Sequence, residues 1–288
     1  MQFCPVPNDV PASIAVADAI LSATDPDTLA SLDLLLLPEM AFTGYLFPDL
    51  SSVPCESPPS SPSVAWALST ASSLGCPTLV GYPRLDPLTN AAHNSLAIAL
   101  PGGALHSVAD KHHLFAADET WAAEGKGFHP VADDIVPGVR VAVAVCMDIN
   151  PRQFKAPFDA FEFANHARGV DLVLFSSNWC SSHPDDDDEV RASKAAPARG
   201  SGEELAAMEE TRAYWQERMG PLEGTGAVFA CANRVGGEEA ARLGTGAGGD
   251  VTFVGTSCVL ELGSQKVVAS LDMHEQALLV AEVEVGGG

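Results

Sequence analysis

The chain has 288 residues, 47% of them hydrophobic, so it can bury the core of one large α/β domain or of two small ones. Its 38 acidic residues outnumber 15 Lys and Arg, giving a net charge of −23. A negative charge of this size repels phosphate backbones and anionic lipid, which argues against nucleic acid or a membrane surface as a partner.

The cysteine pattern favours a reducing compartment. The seven cysteines are scattered and form no CxxC motif, so they indicate neither a zinc ribbon nor a disulfide framework. The amino-terminal residues lack the basic and apolar regions of a signal peptide. We therefore expect a cytoplasmic protein. No HExxH spacing or phosphate-binding glycine motif occurs, so no metal and no cofactor are expected.

Hydrophobic periodicity predicts alternating helices and strands, which favours an α/β fold in a single domain spanning residues 1–288. Residues 181–202 are rich in Asp, Ser, Pro and Ala and are interpreted as a mobile surface insertion. Residues 236–249 are interpreted as a glycine-rich loop. The predicted helices are 14–21, 64–74, 157–168 and 203–218, and the predicted strands are 32–37, 78–82, 94–100, 104–109, 141–145, 172–175, 227–232, 256–262, 267–271 and 278–283.

Chemically useful side chains directly follow four of the predicted strands. These are Glu39, Lys111, Cys146 and Asn178. Ligand sites of open α/β sheets gather beyond the carboxyl ends of strands, so the four positions are candidates for one site. Cys146 is placed at a strand–turn–helix junction, where a nucleophile is presented outward.

The first three residues form a chemically complete set. A thiol attacks as a thiolate, so Cys146 needs a base, which Glu39 can supply, and a cation, which Lys111 can supply. Lys111 is expected to lower the thiol pKa and then to stabilise an oxyanion. Each residue also has a plain structural explanation: a strand-end acid, a surface pair of Lys111 with Asp110, and a buried structural thiol.

Three motifs, LLLLPEMAFTGY, DKHHLF and VAVAVCMDINP, resemble the signatures of the nitrilase superfamily of carbon–nitrogen hydrolases, in the same order. The resemblance implies a catalytic triad of Glu39, Lys111 and Cys146. It also implies an α/β fold of the four-layer αββα sandwich type.

A closer resemblance, to the fungal protein N-terminal asparagine/glutamine amidases, rests on CMDINPRQFKAPFDAFEFA, DETW, NWC, CANRVGGE and FVGTS. It implies deamidation of Asn or Gln at the N-terminus of proteins or peptides, with release of ammonia, in the N-degron pathway. It also implies that Glu119 positions Lys111 and the substrate and that the N–H of Met147 is an oxyanion donor. Asp148 and Asn178 are candidates for the substrate α-ammonium, and Trp179 for an apolar wall.

Other interpretations stay open at this point. The same triad would serve a small-molecule ω-amidase or a nitrilase, and a non-catalytic protein that binds N-terminal residues is an alternative of another class. A Cys–His protease would pair Cys146 with a histidine such as His166, which falls inside a predicted helix. The sequence fits a monomer or a homodimer and leaves the preference between Asn and Gln open.

Overall fold

The computed structural model describes residues 1–57, 61–181, 188–239, 250–264 and 266–285. The helices are α1 (Val10–Ala23), α2 (Pro26–Ala30), α3 (Pro62–Leu74), α4 (Ala116–Glu119), α5 (Glu162–His166), α6 (Asp188–Ser193) and α7 (Gly202–Arg218). The strands are β1 (Leu35–Leu36), β2 (Thr78–Leu85), β3 (Ala92–Leu100), β4 (Ala104–Asp110), β5 (Ala132–Val136), β6 (Val139–Val145), β7 (Leu172–Ser177), β8 (Val228–Asn233), β9 (Val235–Glu239), β10 (Asp250–Val254), β11 (Cys258–Glu261) and β12 (Lys266–Ser270).

Two sheets carry the fold. The first has the strand order β1-β2-β3-β4, and the second has the order β12-β11-β8-β7-β6-β5. At the centre of the second sheet, β6, β7 and β8 are parallel, and Val141 and Val228 both align with Leu172. The carboxyl ends of these three strands therefore lie at the same sheet edge.

The two sheets pack face to face, and helices cover both outer faces. Apolar side chains of the first sheet, such as Ile98, meet those of the second, such as Val143 and Leu174. Outside the first sheet, Trp66 of α3 packs in a cluster with strand residues and α1. Outside the second, Trp215 of α7 packs with residues of α5 and of the strands. These layers form the expected αββα sandwich.

Alternation of apolar residues explains the sandwich. Along β6 and β7, one set of side chains faces the core between the sheets and the alternate set faces the outer helices. Strands buried on both faces are almost continuously apolar, as the sequence of β6 shows. In the described residues, no helix combines the length and the apolar character that a membrane crossing requires.

Several sequence predictions are wrong in detail. The helix expected at 157–168 is only α5, because Pro157 precedes a short 3₁₀ turn and Phe161 adopts a φ of 43°. The predicted strand 278–283 is irregular, and its neighbour Ala277 instead forms an isolated bridge with Gln2. The glycine-rich loop begins as β9, and residues 240–249 lie outside the described part.

The stretch 181–202, expected to be a mobile insertion, is described only in part. Residues 182–187, which hold most of its acidic run, lie outside the described residues. The remainder contains α6, and Arg199 forms an ion pair with Asp272 at 2.7 Å.

Gly81 of β2 lies directly against the backbone that carries Glu39. A Cβ at this position would lie 2.5 Å from the Met40 nitrogen and 2.6 Å from Glu39 Cα. We expect Gly81→Ala to lower the free energy of unfolding by roughly 1–3 kcal/mol, the usual cost of overpacking, because the backbone contacts cannot rotate away. Urea unfolding measures this change.

Gly202→Ala is the matched control, since nothing lies within 4 Å of a Cβ at Gly202, the first residue of α7. Equal stability of the two variants would contradict the close approach of β2 to Glu39.

Candidate active site

Glu39 lies just beyond β1 and is only 1% exposed. Its Oε1 accepts hydrogen bonds from Lys111 Nζ at 2.6 Å and from Asn94 Nδ2 at 2.7 Å, and its Oε2 accepts one from the backbone N–H of Asn178 at 2.8 Å. Asn178 follows β7, in the other sheet. The carboxylate is therefore held by groups from both sheets, with each oxygen in a fixed direction.

Lys111 follows β4, and its ammonium is fully buried between two carboxylates. Its Nζ lies 2.6 Å from Glu39 Oε1 and 2.5 Å from Asp118 Oδ2. Asn94 joins the same two acids, because its Nδ2 also donates to Asp118 Oδ1 at 2.9 Å. The hydroxyl of Tyr45 lies 3.4 Å from both Lys111 Nζ and Asp118 Oδ2. A bridge of this kind fixes the lysine in one position.

The acid that positions Lys111 is Asp118, and the prediction that Glu119 does so is wrong. Asp118 is fully buried, whereas Glu119, the next residue of α4, is exposed. In the described part of the chain, Lys111 forms ion pairs with Glu39 and Asp118 alone. The short helix turns these neighbouring carboxylates in different directions, which the sequence DET did not reveal.

Cys146 lies at the carboxyl end of β6, where the strand passes into a 3₁₀ helix over Cys146–Ile149. Its φ of 43° places it in the left-handed region, which costs a non-glycine residue about 1–3 kcal/mol. Such strain persists where the surroundings hold the turn in place. Cys146 is 7% exposed, and the backbone N–H of Asn178, which donates to Glu39, also acts to lower the pKa of the thiol.

Asp148 supplies the restraint on this turn. Its Oδ2 accepts the backbone N–H of Val145, and its Oδ1 accepts those of His112 and His113, all at 2.9 Å. The residue thus ties the turn of Cys146 to the segment that follows Lys111. Because the buried carboxylate is engaged by three backbone donors, the expectation that it binds the substrate α-ammonium is corrected to a positioning role.

Three further predicted residues surround Cys146. Asn178 is 1% exposed, and its side-chain amide has no hydrogen-bond partner in the part of the chain that the structure describes. Trp179 packs edge-on to the ring of Trp215. Met147 is buried and lines a cleft of about 190 Å³. The structure therefore brings all three near the thiol, with Asn178 holding unused polar atoms.

The pKa values of the three central groups shift in the same direction. Burial, aided by Asp118, raises the pKa of Glu39. Burial alone would lower the pKa of Lys111, but the carboxylates of Asp118 and Glu39 raise it above its ordinary value. Burial and the charge of Glu39 raise the pKa of Cys146 well above that of a free thiol, against the opposing effect of Lys111.

Lys111 does lower the pKa of Cys146, as expected, but burial and the charge of Glu39 outweigh this effect, so the pKa of the thiol is raised overall. The arrangement instead provides a neutral thiol, a buried carboxylate base and a fixed ammonium at one sheet edge.

Sequence reasoning missed Asn94, Asp118 and Tyr45. Asn94 lies between His93 and Ser95 at the polar start of β3, so its sequence context did not single it out. Asp118 was visible only as a neighbour of Glu119. The aromatic ring of Tyr45, within the motif EMAFTGY, gave no sign that its hydroxyl approaches Lys111.

Comparisons with known proteins agree with this architecture. The protein N-terminal amidase of Schizosaccharomyces pombe is 32% identical over 283 residues, covering 90% of this chain and 89% of that protein. The protein N-terminal amidase of Saccharomyces cerevisiae is 27% identical over 179 residues, covering 55% and 39%. No protein-family model matches the chain.

Solved structures show the same fold. An N-terminal amidase crystallised with an Asn-Glu peptide superposes with a TM-score of 0.71 at 18% identity, covering 95% of this chain and 94% of that one. A CN-hydrolase superfamily protein from Xanthomonas campestris superposes with a TM-score of 0.63 at 22% identity, covering 96% and 85%.

The similarity to a curated amidase, together with the buried acid, ammonium and thiol, places the chain among the hydrolases of carbon–nitrogen bonds. Within that class, the extent of the similarity to the S. pombe enzyme is decisive. The chain belongs to the protein N-terminal amidase family.

We expect Asp118→Asn to destabilise the protein by about 3 kcal/mol, because it removes one partner of a buried ion pair. Glu119→Gln is the matched control, since an exposed carboxylate contributes within about 0.5 kcal/mol. Urea unfolding near neutral pH compares the two. An equal decrease in the free energy of unfolding of the two variants would contradict the assignment of Asp118 as the partner of Lys111.

Proposed function

We propose that the protein hydrolyses the side-chain amide of Asn or Gln at the N-terminus of proteins and peptides, releasing ammonia and leaving Asp or Glu. The observation that carries this proposal is the buried contact of Glu39 with Lys111, beside Cys146, in a member of this family. Related N-terminal amidase structures hold Asn-Glu and Gln-Val peptides, which supports both substrates.

In the first step, Sγ of Cys146 bonds to the amide carbon of the substrate while its proton passes to Glu39. The raised pKa of Glu39 suits this role, because a more basic carboxylate accepts the proton more readily. The raised pKa of Cys146 keeps its proton in place until the substrate arrives. Proton transfer and attack are therefore coupled.

The amide oxygen gains a negative charge, which the ammonium of Lys111 and the N–H of Met147 stabilise. Losing one such donor costs roughly 2.7–4 kcal/mol of barrier. Glu39 then gives its proton to the leaving nitrogen, and ammonia departs from a thioester on Cys146. Water, deprotonated by Glu39, hydrolyses the thioester, which restores the thiol and leaves the acid.

The surroundings of the thiol support recognition of the substrate's first residue. The buried amide of Asn178 has a free donor and acceptor among the described residues, and leaving both unpaired is costly unless a ligand satisfies them. We assign it to the polar groups of the first residue. Trp179, half-buried against aromatic neighbours, provides an apolar wall.

The proposal extends to the cellular role. An Asp or Glu produced at an N-terminus supplies a substrate for arginylation, so the reaction belongs to the N-degron pathway of protein degradation. The free cysteines of the described chain, including buried Cys76, Cys231 and Cys258, agree with a reducing compartment such as the cytoplasm.

Ammonia release from peptides differing only in their first residue tests the proposal. We expect release from peptides that start with Asn or Gln, none from Asp, and a loss of activity in Cys146→Ala. Mass spectrometry of quenched reactions should show an acyl group on the peptide that contains Cys146. The proposed function would be overturned if the enzyme acted only on free ω-amides or nitriles. It would also be overturned if the enzyme released ammonia from no amide at all.

The pH dependence provides a second test. Glu39 must be ionised to act as a base, so kcat/KM should fall as the pH is lowered through the pKa of Glu39. Because that pKa is raised, the fall should occur at a pH above the ordinary glutamate pKa of about 4.3. The hydrogen bond from Asn94 lowers this pKa, so Asn94→Ser should move the fall to higher pH. A constant kcat/KM down to about pH 4 in both proteins would contradict Glu39 as the base.

A further inference from the structure

We propose that Glu238 is a positioning residue for the reaction, because it fixes the backbone of Tyr45, whose hydroxyl contacts Lys111. The inference rests on the proposed function and deepens it. It also assigns a role to the motif CANRVGGE, residues 231–238, of which the mechanism above uses no residue.

Glu238 and Arg234 form a buried ion pair within that motif. Arg234 follows β8 and Glu238 lies on β9, and the two residues are only 1% and 3% exposed. Cζ of Arg234 also lies 3.9 Å from the centre of the Phe253 ring. Burial alone would raise the pKa of Glu238, but Arg234 and the backbone N–H groups of Leu46 and Tyr45 lower it below its ordinary value. Glu238 is therefore ionised near neutral pH, which makes it a strong hydrogen-bond acceptor.

This carboxylate accepts two adjacent backbone N–H groups of the segment that follows Glu39. Its Oε1 accepts the N–H of Tyr45 and its Oε2 accepts that of Leu46, both at 2.9 Å. Gly44 permits this close approach, since its φ is 88° and a Cβ there would lie 3.1 Å from Glu238 Oε1. A residue 193 positions away along the chain therefore fixes the backbone of Tyr45.

The side chain of Tyr45 is also held in place. Its ring packs edge-on against that of Phe253, with the ring centres 6.1 Å apart. On another side it stacks with Phe115, at a centre-to-centre distance of 6.5 Å. With its backbone and its ring both fixed, the buried Tyr45 presents its hydroxyl to Lys111 from one direction.

That hydroxyl completes the hydrogen bonding of the Lys111 ammonium. An ammonium has three N–H groups, and two of them donate to Glu39 and Asp118 at 2.6 and 2.5 Å. The third donates to the Tyr45 hydroxyl at 3.4 Å, the longest of the three contacts and therefore the one that an oxyanion replaces at the least cost. Displacing Tyr45 would change the direction of this N–H. It would lower kcat more than the affinity for the peptide, because the oxyanion forms only during the reaction.

The kinetics of a variant that lacks both charges test the inference. Removing Glu238 alone would leave the charge of Arg234 buried and unpaired, so Arg234→Met is combined with Glu238→Gln. We expect kcat for a peptide that starts with Asn to fall roughly 10- to 100-fold, the loss typical of a charged hydrogen bond. Peptide affinity, measured by calorimetry with Cys146→Ala added to both proteins, should not change.

Tyr45→Phe shows whether Glu238 acts through Tyr45. In the wild-type background it removes the hydroxyl and should lower kcat. In the variant without the ion pair, where the hydroxyl is already displaced, it should lower kcat by a much smaller factor. An ion pair that acted only on stability would give the same factor in both backgrounds.

Two further variants separate positioning from stability. Gly44→Ala forces a Cβ against Glu238 with both charges in place, so it tests the same contact if the first variant does not fold, and it should lower kcat without changing peptide affinity. Glu56→Gln is the matched control, because Glu56 is another buried acid that accepts a backbone N–H, that of Ser63 at 3.0 Å. It should lower the free energy of unfolding and leave kcat unchanged.

The inference would be overturned by an unchanged kcat in the folded variants or by a loss of peptide affinity as large as the loss of kcat. Equal effects of Tyr45→Phe in the two backgrounds would also overturn it. Each of these results leaves the proposed function intact if the wild-type enzyme releases ammonia from peptides that start with Asn. Absence of that release would instead overturn the proposed function itself.

Discussion

The site depends on one buried ammonium held between two carboxylates. Lys111 follows β4, Glu39 follows β1, and Asp118 belongs to α4, so a single cation joins three separate parts of the chain. Removing a charge from water is expensive, and the cost is met here because each carboxylate has further hydrogen bonds from Asn94 and from backbone N–H groups. The network fixes the lysine where an oxyanion would form.

That arrangement also determines how the sulfur reacts. Burial and the charge of Glu39 raise the pKa of Cys146 well above that of a free thiol despite the opposing effect of Lys111, so the buried thiol keeps its proton. The carboxylate of Glu39 becomes the natural acceptor, because it is buried, basic and adjacent. During the attack Glu39 becomes protonated and neutral, while the amide oxygen of the substrate becomes negative. Lys111 then stabilises this new anion. The ammonium therefore contributes more in the transition state than in the resting enzyme.

Sequence reasoning located Glu39, Lys111, Cys146 and Asn178 because each directly follows an apolar strand, and strand ends gather at one sheet edge. It could not choose between Asp118 and Glu119, since the direction of a side chain depends on a short helix fixed by tertiary packing. Buried Asn94 was hidden for the same reason. The predicted strand at 278–283 is irregular, and its apolar residues Leu278 and Val283 pack against the core without pairing in a sheet.

The ionisation of Cys146 in the resting enzyme tests this account most directly. The ultraviolet absorbance of thiolate, measured against pH as the difference between the wild-type protein and Cys146→Ala, reports that one residue among the seven cysteines. The account predicts no thiolate at Cys146 near neutral pH and a pKa above the ordinary cysteine value of about 8.5. A thiolate already present at neutral pH would contradict it, because Lys111 would then stabilise the anion without help from Glu39.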